Sequence, residues 1–85
     1  MWYVYVLHNK KGHWYIGSTK DLRKRILNHN SGKNKSTKYG IPWKVIYCEI
    51  GLHKEDARAR EKYLKSGTGR RYLKNRLKFF FAQGL

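Results

Sequence analysis

The chain opens with two short apolar runs separated by a polar turn. Trp2-Tyr3-Val4-Tyr5-Val6-Leu7 is dense in β-branched and aromatic residues, and after Asn9-Lys10-Lys11-Gly12 comes His13-Trp14-Tyr15-Ile16. The pattern predicts a β-hairpin. With a period of two, Tyr3, Tyr5 and Leu7 share one face of the first strand, and His13, Tyr15 and Gly17 share one face of the second. Whether Tyr5 and Tyr15 lie on the same face depends on hairpin register, which a loop of this length leaves open. Gly17-Ser18-Thr19-Lys20-Asp21 then reads as a turn and helix entry, with Ser18 and Asp21 at capping-box spacing. The helix is expected to run to Asn28 or Asn30. At 100° per residue, Leu22, Arg25, Ile26 and His29 fall within one arc of about 100°, so Arg25 and His29 share the apolar side.

Ser31 to Gly40 is a Lys-rich loop ahead of Pro42, and Trp43 to Ile50 resumes strand chemistry. A second helix is predicted from Lys54 to Lys65, with Glu55 and Asp56 in its first turn and a stop at Ser66-Gly67, where a C-cap glycine belongs. A third helix is expected after Thr68 or Gly69, carrying Leu73, Leu77, Phe80 and Phe81 at helical spacing. The fold class is therefore α/β in the α+β sense, as one domain over residues 1–85: a chain of 85 residues has room for one modest core. The run Phe79-Phe80-Phe81 either completes that core or forms a dimer contact.

Charge narrows the function classes. Twenty Lys plus Arg against five Asp plus Glu give a formal net charge of +15, spread from Lys10 to Lys78. Such a field repels itself, and a polyanion relieves the repulsion while releasing condensed counterions, which makes nucleic acid the first partner to expect. An anionic membrane surface is the competitor, but the broad apolar face of a membrane-surface helix is lacking. Cys48 is the one cysteine, in an apolar stretch where a buried thiol is the ordinary reading. No apolar run is long enough to span a bilayer or resembles a leader, and the expected location is the cytoplasm.

With five acids, each can be assigned in turn. Asp21, Glu55 and Asp56 sit in the first turns of predicted helices, where negative charge is worth about 0.3–1 kcal/mol. Glu49 lies near a strand end and is expected to face solvent. Glu61 is mid-helix, four residues after Ala57 and three before Leu64, at the border of the apolar arc where it can reach a cleft. Its bland account is an i,i+4 pair with Lys65, worth about 0.2–0.5 kcal/mol. Its functional account is a carboxylate anchoring a divalent cation beside a phosphate, since Mg²⁺ often takes only one or two protein carboxylates. Arg25 has a bland account too, its stem covering the core while the guanidinium reaches water. Against that stand His29 one turn along and two hairpin tyrosines, a set that suits phosphoryl transfer. For His29 a core role is the plain alternative.

Taken in order, Tyr3-Val4-Tyr5, Tyr15-Ile16-Gly17, Arg25 with His29, and Glu61 resemble the signature of GIY-YIG nuclease domains. The likeness is to the small stand-alone bacterial members, through Trp14 to Thr19, Asp21-Leu22, Arg25 to Asn30, Pro42-Trp43 and Arg60 to Gly67, and it spans Trp2 to about Leu77. It implies a three-stranded, mainly antiparallel sheet flanked by about three helices, with a single-metal hydrolytic site. Glu61 would ligate Mg²⁺ or Mn²⁺, and Arg25 would hold the scissile phosphate. Tyr5 and Tyr15 would orient or deprotonate the attacking water, and His29 would assist proton transfer or position a tyrosine. An ordinary tyrosine is a poor base at pH 7, about three pKa units or 4 kcal/mol away, so the metal and nearby cations must help. The chain departs from the family pattern in having Tyr3 and Val4 where the family name has Gly and Ile. Asn75, the nearest candidate for a late asparagine found in some members, lies in a basic helix and is left outside the catalytic set.

The expected function is a metal-dependent endonuclease hydrolysing DNA, favoured over RNA, with low sequence specificity. Substrate would be held through its phosphates, and a nick, flap or single strand recognised by backbone shape. The alternatives are a non-catalytic DNA- or RNA-binding module using the same basic surface and aromatics, and a basic protein docked on a ribosome or repair complex.

Overall fold

The structure, a computed structural model, describes residues 1–83. Three strands form one sheet: β1 (Trp2–His8), β2 (Trp14–Thr19) and β3 (Lys44–Gly51), in the order β2-β1-β3 with both pairings antiparallel. The first helix, α1 (Leu22–Asn30), follows the hairpin, and a 3₁₀ turn at Lys38–Gly40 leads into β3. Beyond β3 come α2 (Lys54–Lys65), α3 (Gly67–Arg76) and a short α4 (Lys78–Ala82).

As the central strand, β1 is covered on both faces, and Val4, Tyr5, Val6 and Leu7 are all buried. Val4 and Val6 meet Ile16 from β2, Ala57 and Leu64 from α2 and Leu73 from α3. Tyr5 and Leu7 turn the other way, toward Trp43, Tyr15, Val45 and the α1 residues Leu22 and Ile26. The hairpin register pairs Tyr5 with Gly17 and Leu7 with Tyr15, so the two tyrosines share the α1 face of the sheet. Ser18, paired with Val4, points to the α2 face.

Local capping differs from the sequence expectation at two junctions. Asp21, not Ser18, is the N-cap of α1: its Oδ1 accepts the Lys24 backbone N–H at 3.0 Å, because Ser18 is still in the strand. Gly67 is not a left-handed C-cap, since the positive φ values fall at Gly12 and Gly32; it is the first residue of α3. Ser66 serves both helices. Its Oγ donates to the Tyr63 carbonyl at 2.6 Å and accepts the Gly69 N–H at 3.1 Å, which closes α2 and opens α3 without a linker.

Three further expectations are corrected. The third helix breaks at Leu77 (φ −113°, ψ 30°), so that the described residues hold four helices where three were expected, and Phe80 and Phe81 of α4 pack on His8 and Trp14 instead of extending α3. Cys48 is exposed on the edge strand β3, where it pairs with Tyr5 on the α1 face beyond the cover that Val45 receives. Glu49 does not face solvent alone; it accepts from Arg60 Nε and Nη2 at 2.9–3.1 Å and from the Tyr47 hydroxyl at 2.7 Å. Burial alone would push the Glu49 carboxyl up, but these hydrogen bonds and the Arg60 charge hold it below the usual carboxylate range.

Candidate active site

Edge strand β2 brings the two faces of the sheet to one place. Helix α2 lies against the sheet through Ala57 and Leu64, so Glu61 between them projects toward the β2 edge. There Ser18 Oγ donates to Glu61 Oε1 at 2.6 Å, and Lys65 Nζ donates to Oε2 at 2.7 Å. The i,i+4 pair with Lys65 is thus real, and so is the position beside a cleft. From the opposite side α1, seated by Leu22 and Ile26, presents Arg25. Tyr15, Gly17, Arg25 and Glu61 line one cleft of about 480 Å³ together with Trp2 and a basic stripe on α2. That stripe, Lys54, Arg58, Lys62 and Lys65, recurs at helical spacing and was legible in the sequence, though the Glu61 reading alone did not use it.

Tyr5 and His29 lie beneath this cleft and do not line it. Both are fully buried, and the Tyr5 hydroxyl meets His29 Nε2 at 2.9 Å. His29 Nδ1 meets Thr37 Oγ1 at 2.8 Å, and the Thr37 hydroxyl in turn donates to the Asn34 carbonyl at 3.3 Å. Both ring nitrogens of His29 are thereby hydrogen-bonded, in a buried chain that runs from Tyr5 through His29 and Thr37 to the Asn34 carbonyl. Burial, reinforced by the neighbouring Tyr15, pushes the Tyr5 phenol well above its ordinary value, and the opposing Arg25 charge does not cancel it. The His29 ring stands 4.8 Å from the ring of Tyr15, centroid to centroid, so the buried pair forms the floor under the half-buried Tyr15. Thr37 sits in the Lys-rich loop with no local signal, and only folding brings it to His29.

Glycine at position 17 is a requirement of this floor. A Cβ there would lie 2.6 Å from the Tyr5 hydroxyl oxygen and 3.2 Å from Tyr15 Cε2. Tyr5 cannot yield, being enclosed and bonded to His29. Gly17→Ala is expected to cost about 1–3 kcal/mol in urea denaturation and to displace the Tyr5–His29 bond. Unchanged stability would mean that the floor is softer than its packing indicates.

His29 also sets a pH dependence. Burial first, and the Arg25 charge second, lower its pKa from 6.5, and burial lowers that of His8 as well. A histidine that resists protonation only in the folded state contributes stability that is complete above the unfolded value and is lost as pH falls through the folded one. Stability is therefore expected to be flat above about pH 6.5 and to decline below it, and His29→Gln should remove part of that decline. Urea midpoints at pH 7.5 and 5.5 test this; an equal decline in the variant would exclude His29 as a source.

The GIY-YIG catalytic domain matches residues 1–76. The chain belongs to the GIY-YIG family. Among curated relatives, a UPF0213 protein of Streptococcus pneumoniae is 45% identical over 64 residues, 74% of this chain and 65% of that protein, so this chain spans just under two thirds of that relative. A UPF0213 protein of Staphylococcus saprophyticus is 37% identical over 73 residues, covering 85% of this chain and 89% of the relative. The solution NMR structure of a UPF0213 protein from Bacillus halodurans superposes with a TM-score of 0.53 at 36% identity, covering 86% of this chain and 82% of the other. These relatives are bacterial UPF0213 proteins, and the domain matched by this chain is that of a nuclease family acting on nucleic acid, generally with a divalent metal.

The donor set of this GIY-YIG site fits such a metal in one particular way. Among the described residues no three His, Cys, Asp or Glu side chains gather, so a zinc-like cage of protein ligands is not built. Glu61 supplies one hard oxygen donor in an open, polar cleft, which suits Mg²⁺ or Mn²⁺ completing its shell with water and substrate oxygens. The Glu61 carboxyl is held in its ionised form. Burial would raise its carboxyl, but hydrogen bonds from Lys65 and Ser18 and the charges of Lys65 and Arg58 hold it below the usual range.

Proposed function

We propose that this chain is a divalent-metal-dependent endonuclease that hydrolyses phosphodiester bonds in DNA with low sequence specificity. One observation carries the reading. Glu61 and Arg25, from helices on opposite faces of the sheet, converge with Tyr15 on a single basic cleft. A non-catalytic binder has no use for a carboxylate in a groove of phosphate-binding cations.

Arg25 has no carboxylate partner among the described residues, the ion pairs there being Arg60 with Glu49 and Lys65 with Glu61. Its guanidinium is free to grip two oxygens of the scissile phosphate and to stabilise the charge that develops on them. Glu61 is the residue that would hold Mg²⁺ or Mn²⁺. When bound, the ion supplies Lewis-acid charge to the phosphate. Lys65 leaves Oε2 for a phosphate oxygen on the same cleft wall. Tyr15, which borders the cleft, orients the attacking water. Tyr5 and His29 act from below, as positioning residues that hold Tyr15 and Arg25 in register. The Tyr5 phenol, buried, hydrogen-bonded to His29 and pushed well above its ordinary value, stays protonated, so deprotonating the water is not its part.

Substrate is gripped through phosphates by lysines and arginines, a contact that carries no sequence information. The exposed free thiol of Cys48 suits a reducing compartment, and we assign the activity to the cytoplasm. The test is cleavage of labelled single-stranded, duplex, nicked and flapped DNA with Mg²⁺ and with Mn²⁺, using Glu61→Gln prepared in parallel to control for contaminants. Metal-dependent cutting lost in the variant supports the reading. Tight, steeply salt-dependent binding by both proteins with no cutting of any substrate replaces it with a nucleic-acid-binding module.

A further inference from the structure

The cleft at Glu61 does not end at Arg25. A second cleft of about 400 Å³ is lined by Lys20, Lys24, Asn28 and again Trp2 and Arg25, and a third of about 390 Å³ by Lys33, Lys35 and again Arg25 and Asn28. The shared residues place the three side by side along one basic surface groove, in which Glu61 and Asp21 are the lining acids. Trp2 stands where the first cleft passes into the second.

The three tryptophans have different surroundings. Trp43 is buried, with its indole N–H bonded to the Thr37 carbonyl at 2.8 Å. Trp14 is stacked on Phe81 at an interplanar angle of 2° and has the Arg70 guanidinium 4.4 Å from its ring centroid. Trp2 packs part of its ring on the core, and its remaining surface borders both clefts. The ammonium groups of Lys20 and Lys54 stand 5.7 and 5.8 Å from its ring centroid. An aromatic surface flanked by two cations inside a basic groove offers a single strand what it needs: a π-face for a base and positive charge for the adjoining phosphates. A duplex presents phosphates but keeps its base faces stacked on one another.

We infer that Trp2 is a stacking platform for an unpaired nucleobase at the waist of the groove. Resting on the nuclease reading for the position of the cut, the stacked base lies next to the scissile phosphate, and the preferred substrate is a single-stranded segment crossing the site. Lys20 and Lys54 swing from the ring to the phosphates on either side of that base. Trp2 thereby sets the preference for unpaired DNA, and Arg25 and the α2 lysines set overall affinity.

The experiment is binding without metal, in chelator, so that no cutting occurs. The full chain is titrated with oligothymidylate of about 12 nucleotides and with a duplex of similar length, following tryptophan emission and the anisotropy of a labelled strand. The expected result is quenching by oligothymidylate that the duplex does not produce. Trp2→Leu should lose the quenching and weaken oligothymidylate binding about tenfold, within the range for one base stacked on an aromatic ring. Duplex affinity should stay unchanged. Trp2→Phe, which preserves core packing and a π-face, should bind within about threefold of the parent yet lose the quenching, because Trp43 is buried and the half-buried Trp14 already has its ring stacked on Phe81 and capped by the Arg70 guanidinium. Quenching that persists in Trp2→Phe, or equal weakening of strand and duplex in Trp2→Leu, overturns the inference. If Trp2→Leu fails to fold, the Trp2→Phe arm still decides. The binding result stands apart from the nuclease reading: a protein that never cuts can still show Trp2-dependent quenching, and an active nuclease can lack it.

Discussion

Glu61→Gln is expected to reduce metal-dependent cleavage on the order of 10³-fold, equivalent to roughly 4 kcal/mol of transition-state stabilisation. The substitution removes one charge and leaves the shape. Gln can still accept from Ser18, while the bond from Lys65 loses its charge assistance, worth about 0.3–0.5 kcal/mol for an exposed i,i+4 pair. The thermal midpoint should therefore move little. DNA binding should hold or tighten slightly, since a carboxylate leaves a groove built for phosphate. Single-turnover cleavage of labelled DNA, with anisotropy and thermal melts on the same preparations, separates the three quantities. A variant cutting within tenfold of the parent would remove Glu61 from the metal-binding role.

Gly69→Ala is expected to be the most destabilising single change in the helical layer. Intrinsic propensity gives the opposite sign, because Ala is favoured over Gly inside a helix by about 1 kcal/mol. Position 69 overrides propensity. A Cβ there would collide with the Tyr63 carbonyl oxygen and lie 2.6 Å from Leu64 Cα, both backbone atoms of α2. A side chain can turn aside, but a helix backbone cannot. Relief requires α3 to move away from α2, opening the contact in which Leu64 and Leu73 are fully buried. A net loss of about 2–3 kcal/mol follows from overpacking, and for a domain of this size the thermal midpoint falls by roughly 10–20 °C. Gly67→Ala is the control. Nothing lies within 4 Å of its Cβ position, so its stability should change by less than about 0.5 kcal/mol. If both variants melt alike, the close approach of α2 and α3 is not what glycine 69 serves.

The linear pattern carried the elements because each is specified over short distances. Alternating β-branched and aromatic residues marked the hairpin and β3, and the charged and apolar periodicity of 54–65 marked α2 with the bounds observed. The helical arc that grouped Leu22, Arg25, Ile26 and His29 also held, with Leu27 exposed on the opposite side. Errors fell where a local signal had two outlets. Ser18 had cap chemistry and strand geometry, and the strand prevailed. Gly67 looked like a C-cap because the sequence could not reveal that Ser66 closes one helix while opening the next. Cys48 looked buried because a strand pattern does not say which edge of the sheet is left uncovered.

The sequence by itself determined the family, the element order as far as α3, the excess of positive charge and the identities of Tyr15, Arg25 and Glu61 as candidates, since all of these are written in residue type and spacing. Tertiary structure alone decided which candidates face the cleft and which support it. Tyr5 and Tyr15 carry the same side chain, but Tyr5 lies on the central strand, is covered from both sides and binds His29, whereas Tyr15 lies on the edge strand and borders the groove. Thr37, Ser18 and Trp2 likewise gained their places through contacts between residues distant in sequence. Register and helix packing are cooperative properties of the whole chain, and no local window contains them.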